Sequence, residues 1–412
     1  MATEATILAE LKMPSPKAAS GLSAADLGEG QRKSELGQFL SPPPIADFMA
    51  GLFESRPSEV HLLDAGAGAG ALTSASVRRL CTGRPRPKRL SITAYELDSA
   101  LIPRLRTALA ECERLCARAG IEFAATVRNE DFIASIVPAV RRDLFAPKLP
   151  PFNAAIANPP YRKIRSDSPT RLLLRSAGIE TSNLYTAFLA LITRLLAPAG
   201  ELVSITPRSF CNGPYFRPFR EEFLKAMALR RLHVFESRSA AFRGEDVLQE
   251  NVIVHAVKGA PPPEDVIVSS SSGEPGGAVT ERVVRYRQVV KADDPELFIH
   301  LPTDDRQDFA RDSINRFTAG LPELGLSVST GRVVDFRARE FLRRQPDAHT
   351  VPLIYPCHFN GGYVHWPKPG ARKPNAIVST EATPDLLVPA GVYVLVKRFT
   401  SKEERRRVAA CI

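Results

Sequence analysis

The sequence predicts an α/β fold, Rossmann-like, in which a mostly parallel sheet is covered by helices on both faces and followed by a second domain. Three observations predict it. Short apolar runs alternate with helix-length stretches from Val60 to Val257, and parallel strands need such crossovers. A glycine-rich turn follows the first apolar run, at the place where open α/β sheets bind their ligands. At 412 residues the chain exceeds what one hydrophobic core usually supports, so two domains are expected.

Residues 1–30 mix short apolar pieces with Ser, Gly, Ala and Pro and read as a mobile arm. Residues 31–260 carry the alternation. An apolar run from Val60 through Leu63 leads into the glycine turn and a helical stretch to Leu80, then the basic loop Arg84 to Arg89. Strand Leu90 to Glu96 precedes a long helix, Ser99 to Ala119; Ile121 to Val127 and Phe152 to Ala157 are the next strands. Helix Leu184 to Leu196, strand Glu201 to Thr206, helix Phe216 to Ala228 and strands Leu232 to Glu236 and Asn251 to Val257 complete the set. Beyond residue 260 the pattern changes: Pro261-Pro262-Pro263 and the serines 269–272 mark loops, and the later apolar runs are short. Residues 261–412 are therefore assigned to the second domain.

Composition narrows the function. With 44% hydrophobic and 24% charged residues the chain is ordinary globular protein, neither fibrous nor wholly disordered. The 55 Lys+Arg against 45 Asp+Glu give +10, a balance that draws in polyanions such as nucleic acid, although a solvated basic surface has the same sign. The six cysteines are scattered without a Cys-x-x-Cys pair, which speaks against a zinc or redox site and for reduced, intracellular thiols. There is no secretory pattern, and the most apolar stretch, Leu184 to Ala197, is interrupted by Arg194 and too short to span a bilayer. A soluble cytoplasmic protein is the expectation.

The turn Asp64-Ala65-Gly66-Ala67-Gly68-Ala69-Gly70 lets backbone approach a ligand closely. Gly66, Gly68 and Ala71 also satisfy the dinucleotide pattern Gly-x-Gly-x-x-Ala, so the motif alone leaves NAD and S-adenosylmethionine open. Asp64 tips the reading: a carboxylate there suits a cationic amino-acid ligand and repels a pyrophosphate. Glu96, ending the second strand, can accept from two ribose hydroxyls, while Asp98 reads as the cap of the next helix. Asp131 can accept from an adenine amino group with Phe132 covering the ring; a plain capping turn is the competing reading.

The decisive stretch is the apolar strand Asn153 to Ala157 running into Asn158-Pro159-Pro160-Tyr161. Two prolines fix φ and stop strand or helix, and Asn158 before a proline is held extended. The Asn158 side-chain oxygen and the Pro159 carbonyl are thereby preset as acceptors. A planar NH2 group is a poor nucleophile because its lone pair is delocalised. Two acceptors on its N–H bonds draw that pair back to nitrogen without a strong base. Tyr161 supplies a π-face for a base taken out of a duplex.

These motifs, in this order, resemble the gamma-class, TaqI-like adenine-specific DNA methyltransferases of type II restriction-modification systems, over most of the chain. The resemblance implies a class I methyltransferase domain that binds S-adenosylmethionine, no metal, and transfer of a methyl group to the N6 amino group of adenine in double-stranded DNA. It also implies a C-terminal α+β target-recognition domain, a cognate restriction endonuclease as functional partner, and a monomer. Gln38 and Phe39, in Gly37-Gln38-Phe39-Leu40-Ser41-Pro42, are similar to the family's upstream cofactor motif, with Leu40 and Ser41 as departures. Asp64 to Gly70, Glu96 and Asp131-Phe132 match its cofactor motifs, and Asn158 to Tyr161 its catalytic motif. Ser182 to Phe188 and Thr206 to Phe210 resemble segments that support the catalytic loop. Phe242 lies where the family places an aromatic against the flipped adenine, a buried core Phe being the other reading. Arg332, Arg337, Arg339, Lys397 and Arg398 are candidate DNA contacts by charge, with solvated surface as the alternative. The chain stops just after Arg405-Arg406-Arg407, inside what resembles an unfinished recognition segment, and so reads as truncated or degenerate there.

Overall fold

The computed structural model describes residues 41–144, 146, 149–235, 250–272, 277–304, 313–314, 316–398 and 408–412. The expected arm, 1–30, lies outside them. Two compact units divide at Arg316/Phe317, not at residue 260, because two further strands after the proline run join the main sheet.

The first unit is built on nine strands: β1 (Glu59–Ala65), β2 (Arg89–Tyr95), β3 (Glu122–Arg128), β4 (Phe152–Ala157), β5 (Leu196–Pro207), β6 (Met227–Phe235), β7 (Asn251–Lys258), β8 (Asp265–Ser271) and β9 (Val279–Arg285). Their order is β3-β2-β1-β4-β5-β7-β6-β8-β9. The first five strands pair parallel, β7 runs antiparallel between β5 and β6, β8 is parallel to β6, and β9 closes the edge antiparallel.

Helices α1 (Pro43–Gly51), α2 (Ala71–Thr82) and α3 (Ile102–Ala119) cover one face. Their apolar residues form one core with Val60 and Leu62 of β1 and Ile156 of β4. Helices α4 (Phe132–Arg141), α5 (Pro169–Ser176), α6 (Leu184–Leu195) and α7 (Arg217–Ala226) cover the other, where Leu63, Ala65, Ala155 and Ala157 sit in a second core. This is what period-2 strands dictate: adjacent residues go to opposite faces, and a strand buried on both faces reads as one apolar run. Leaving β1, the chain moves first to β2 and β3 on one side, then returns to β4 and β5 on the other. A crevice opens at the carboxyl ends where the order reverses.

In the second unit, 317–412, the regular elements among the described residues are short strands and single 3-10 turns, so helix of the expected α+β kind is limited there to those turns. Its centre is the buried side chain of Asn375. The amide oxygen accepts from His358 Nε2 at 2.9 Å and Lys368 N–H at 2.9 Å, and the amide nitrogen donates to the carbonyls of Arg344 and Lys368. Among the described residues no helix is long and apolar enough to cross a membrane.

Candidate active site

A cleft of about 1020 Å3, counted with the solvent at its mouth, opens at the reversal point between β1 and β4. The glycine turn forms its floor. Gly66, Gly68 and Gly70 have φ of +83°, +59° and +86°, values that a side chain strains to adopt. The turn is pinned to β2: the N–H groups of Gly66 and Ala67 both donate to the Tyr95 carbonyl, at 2.9 and 2.8 Å.

Glu96 follows β2 directly and is buried to 2% exposure at the cleft wall. One carboxylate oxygen accepts from Gly68 N–H at 2.8 Å and the other from Asp98 N–H at 2.7 Å. The carboxylate is therefore oriented at the cleft wall. Asn129, at the end of β3, donates to the Glu96 and Leu97 carbonyls, fixing the two strand tips together. Asp131 lines the cleft and also caps α4 through a 3.0 Å bond from Ala134 N–H. The capping turn is thus present, and the same residue stands in the cleft lining. Phe132, 3% exposed, packs against Tyr95 and Phe188 with ring centroids 5.2 and 4.8 Å away, giving the cleft an aromatic wall.

Asp64 does not line the cleft. It is wholly buried behind the turn, where Oδ2 accepts from the Thr73 hydroxyl at 2.6 Å and ties β1 to α2. Burial raises its carboxyl to about 7, so the charge argument that rested on Asp64 moves elsewhere. The lining residues Glu96, Glu130 and Asp131 oppose a single guanidinium, Arg162. That excess of carboxylate favours a cationic ligand over a pyrophosphate.

On the other wall is the loop after β4. Asn158 and Pro160 line the cleft, and a Cβ placed on Gly66 comes 3.8 Å from the Asn158 carbonyl. The Asn158 Nδ2 donates to the Ser41 hydroxyl at 3.1 Å, fixing which way the amide faces. Pro159 is buried beneath. Tyr161 donates from its hydroxyl to the Ile205 carbonyl at 3.3 Å, and its ring meets Tyr185 edge-on at 6.4 Å. Burial holds its phenol well above the usual range, so it stays a donor.

The loop's continuation is clamped by the segment before α6: Leu184 N–H donates to Arg162 O at 2.8 Å and Ile164 N–H to Ser182 O at 2.7 Å. Tyr185 then reaches the Ser209 hydroxyl at 2.8 Å. The segments Ser182 to Phe188 and Thr206 to Phe210 accordingly meet the loop after β4 and its anchors.

Several lining residues escaped sequence reasoning, among them Ser41, Tyr95, Arg162 and Phe188. Leu184 and Phe188 had a readable signal: they stand four apart on α6, so one helix face presents both. Ser41 stood in the segment resembling the family's upstream cofactor motif, as a departure from it, but its bond to Asn158, 117 residues away, had no local signal. Gln38, Phe39 and Phe242 lie outside the described residues. The basic candidates belong to the second unit. Arg332, Arg337, Arg339 and Arg398 are exposed and Lys397 is half-buried. Arg332 donates to the Leu387 carbonyl at 2.9 Å, and Arg337 lies 5.5 Å from the Phe336 ring centre.

Residues 131–242 match the model of the Eco57I restriction-modification methylase family. The chain is 42% identical over 380 residues to the type II methyltransferase M.PstI of Providencia stuartii, covering 92% of this chain and 74% of that protein. To M.BsuBI of Bacillus subtilis it is 44% identical over 383 residues, with the same two coverages. Among solved structures it is similar to the type IIG restriction endonuclease BpuSI, with a TM-score of 0.47 and 16% identity over 70% of this chain and 35% of that one. Identity at that level over nine-tenths of the sequence is shared descent, and the chain belongs to the type II restriction-modification methyltransferases, with a methylase domain of the Eco57I type.

Proposed function

We propose that the protein transfers a methyl group from S-adenosylmethionine to the N6 amino group of adenine in double-stranded DNA, with the target base turned out of the helix. The observation that carries the reading is the placement of Asn158 on one wall of a cleft whose other walls are Glu96, Asp131 and Phe132. Glu96 faces ribose hydroxyls, Asp131 the cofactor's adenine amino group, and Phe132 its ring, while the glycine turn leaves room for the amino-acid end. The carboxylate excess of this lining suits the cofactor's positive charge, and the oriented Glu96 gives it a fixed acceptor. When bound, S-adenosylmethionine supplies an electrophilic methyl group on a sulfonium.

The chain's own part is orientation and charge. The Asn158 side-chain oxygen and the Pro159 carbonyl accept the two N–H bonds of the target amino group. As the nitrogen turns pyramidal its lone pair leaves the ring, and preorganised dipoles stabilise that shift. Asn158 and Pro159 would hold the nitrogen in this form while the bound cofactor would supply the methyl group, its carbon–sulfur bond breaking to a neutral thioether as the nitrogen–carbon bond forms, and the surplus amino proton would leave to water. Tyr161, held by Ile205 and Tyr185, offers its ring to the extruded base. The biological consequence is protection of host DNA in the cytoplasm from a cognate restriction endonuclease.

Incubation with labelled cofactor and genomic DNA lacking the modification should yield labelled N6-methyladenine. Label confined to protein or RNA would contradict the reading. N158A should abolish transfer while cofactor affinity stays close to wild type; surviving turnover would remove Asn158 from the mechanism.

A further inference from the structure

Asn251 opens β7 and is 3% exposed, yet neither its Oδ1 nor its Nδ2 has a hydrogen-bond partner among the described residues. A buried, unpaired amide carries an uncompensated desolvation penalty, and such groups in native proteins call for an explanation. Its position supplies one. Pro207, at the end of β5, pairs with Asn251, and Ser204 three residues earlier pairs with Ala157, the last residue before the catalytic loop. Ile205, between them, carries the carbonyl that anchors Tyr161. Asn251 therefore stands on the same sheet edge as Asn158, two strands across from β4.

The direction of transfer selects that side. The cofactor cleft lies over the tips of β1, β2, β3 and β4. Displacement at carbon needs the accepting nitrogen opposite the leaving sulfur. The base must then approach over the tips of β4, β5 and β7. With both amino hydrogens of the base taken by Asn158 and Pro159, the groups left to recognise are its ring nitrogens, which only accept. Asn251 carries such a donor, at the start of β7 beside the end of β5.

We propose that Asn251 is a specificity residue of the target-base pocket, donating from its Nδ2 to a ring nitrogen of the extruded adenine. The proposal rests on the adenine reading above. Donation to the ring does not raise the nucleophilicity of the amino group, so the effect falls on base selection and the DNA KM.

The test uses the full chain and a duplex carrying the methylated site, mapped by sequencing modified DNA. N251L and N251V are compared with wild type, neither side chain offering a donor. Both variants should lose roughly 10- to 100-fold in kcat/KM for DNA, with cofactor affinity unchanged. N251L should melt no lower than wild type, since an apolar group replaces an unpaired amide. Replacing the target by 1-, 3- or 7-deazaadenine should cost the wild type a similar factor for one of the three analogues and cost N251L nothing further. Wild-type kcat/KM in either variant, a deaza penalty that persists in N251L, or a lowered melting temperature with weakened cofactor binding would each overturn the proposal. Absence of N6-methyladenine from the wild-type reaction would instead sink the adenine reading, before any variant is measured.

Discussion

Asp64 and Glu96 are two buried carboxylates at the same glycine turn, one opening it and the other hydrogen-bonded to Gly68, and they do different work. Asp64 has no exposure and one partner, the Thr73 hydroxyl, and desolvation, the largest cause, lifts its carboxyl from 3.8 to about 7. Between those values the folded state holds a proton that the unfolded chain releases. The stabilising contribution is present at acid pH and lost as pH rises through about 7, at about 1.4 kcal/mol per unit of pH. D64N cannot titrate. Subtracting its unfolding free energy from that of wild type should give a difference that falls from pH 4 to pH 7 and is flat above, because carboxylates elsewhere titrate alike in both proteins. A flat difference throughout would mean Asp64 is ionised when folded. Glu96 accepts a backbone N–H on each carboxylate oxygen. A Gln amide has only one acceptor, so E96Q forces N–H against NH2 at Gly68 or Asp98. Titration calorimetry should find S-adenosylmethionine affinity lowered roughly 10- to 100-fold; wild-type affinity would take Glu96 out of the cofactor site.

At the scale of elements, what was legible in the sequence is what local patterning encodes. β1, β2 and β4 were readable as short runs rich in apolar residues between turn and helix signals, and β4 fell at Phe152–Ala157 as expected. The motif residues were readable because an α/β sheet places ligands at strand ends, and Glu96, Asp131 and Asn158 each follow a strand within a few residues. α4 was not read as a helix: Pro138 interrupts it and Asp131 looked like a turn, although that turn is its N-cap. β8 was taken for a serine loop. Ser269 and Ser271 alternate inward and hydrogen-bond the two ring nitrogens of His233, each at 3.0 Å, so a polar pair occupies positions where an apolar one would have declared the strand. That pairing carries the sheet past residue 260 and moves the unit boundary to 316. Contacts such as Ser41 with Asn158 depend on the finished topology, and no local pattern announces them.

At the scale of the whole molecule, charge and chemistry are divided between the units. Among the described residues, those lining the cleft all belong to the first, and an acidic lining suits the cationic cofactor proposed above but repels phosphate. Attraction to DNA must then come from basic surface elsewhere, and the net charge of +10 leaves enough of it. The exposed guanidinium groups of Arg332, Arg337, Arg339 and Arg398 are the candidates in the second unit. Phosphate contacts release counterions, so affinity falls linearly in logarithm with salt, at about 0.9 per phosphate neutralised. Changing these arginines to Gln one at a time should leave melting temperature and cofactor affinity unaltered. Each true contact should lower the salt slope by about 0.9, read by fluorescence anisotropy on duplex DNA over a range of salt. An unchanged slope would return that arginine to solvated surface and leave the approach of DNA to other basic residues. The measurement also separates the units functionally, because a cleft that holds cofactor without needing phosphate contacts should bind it with little dependence on salt.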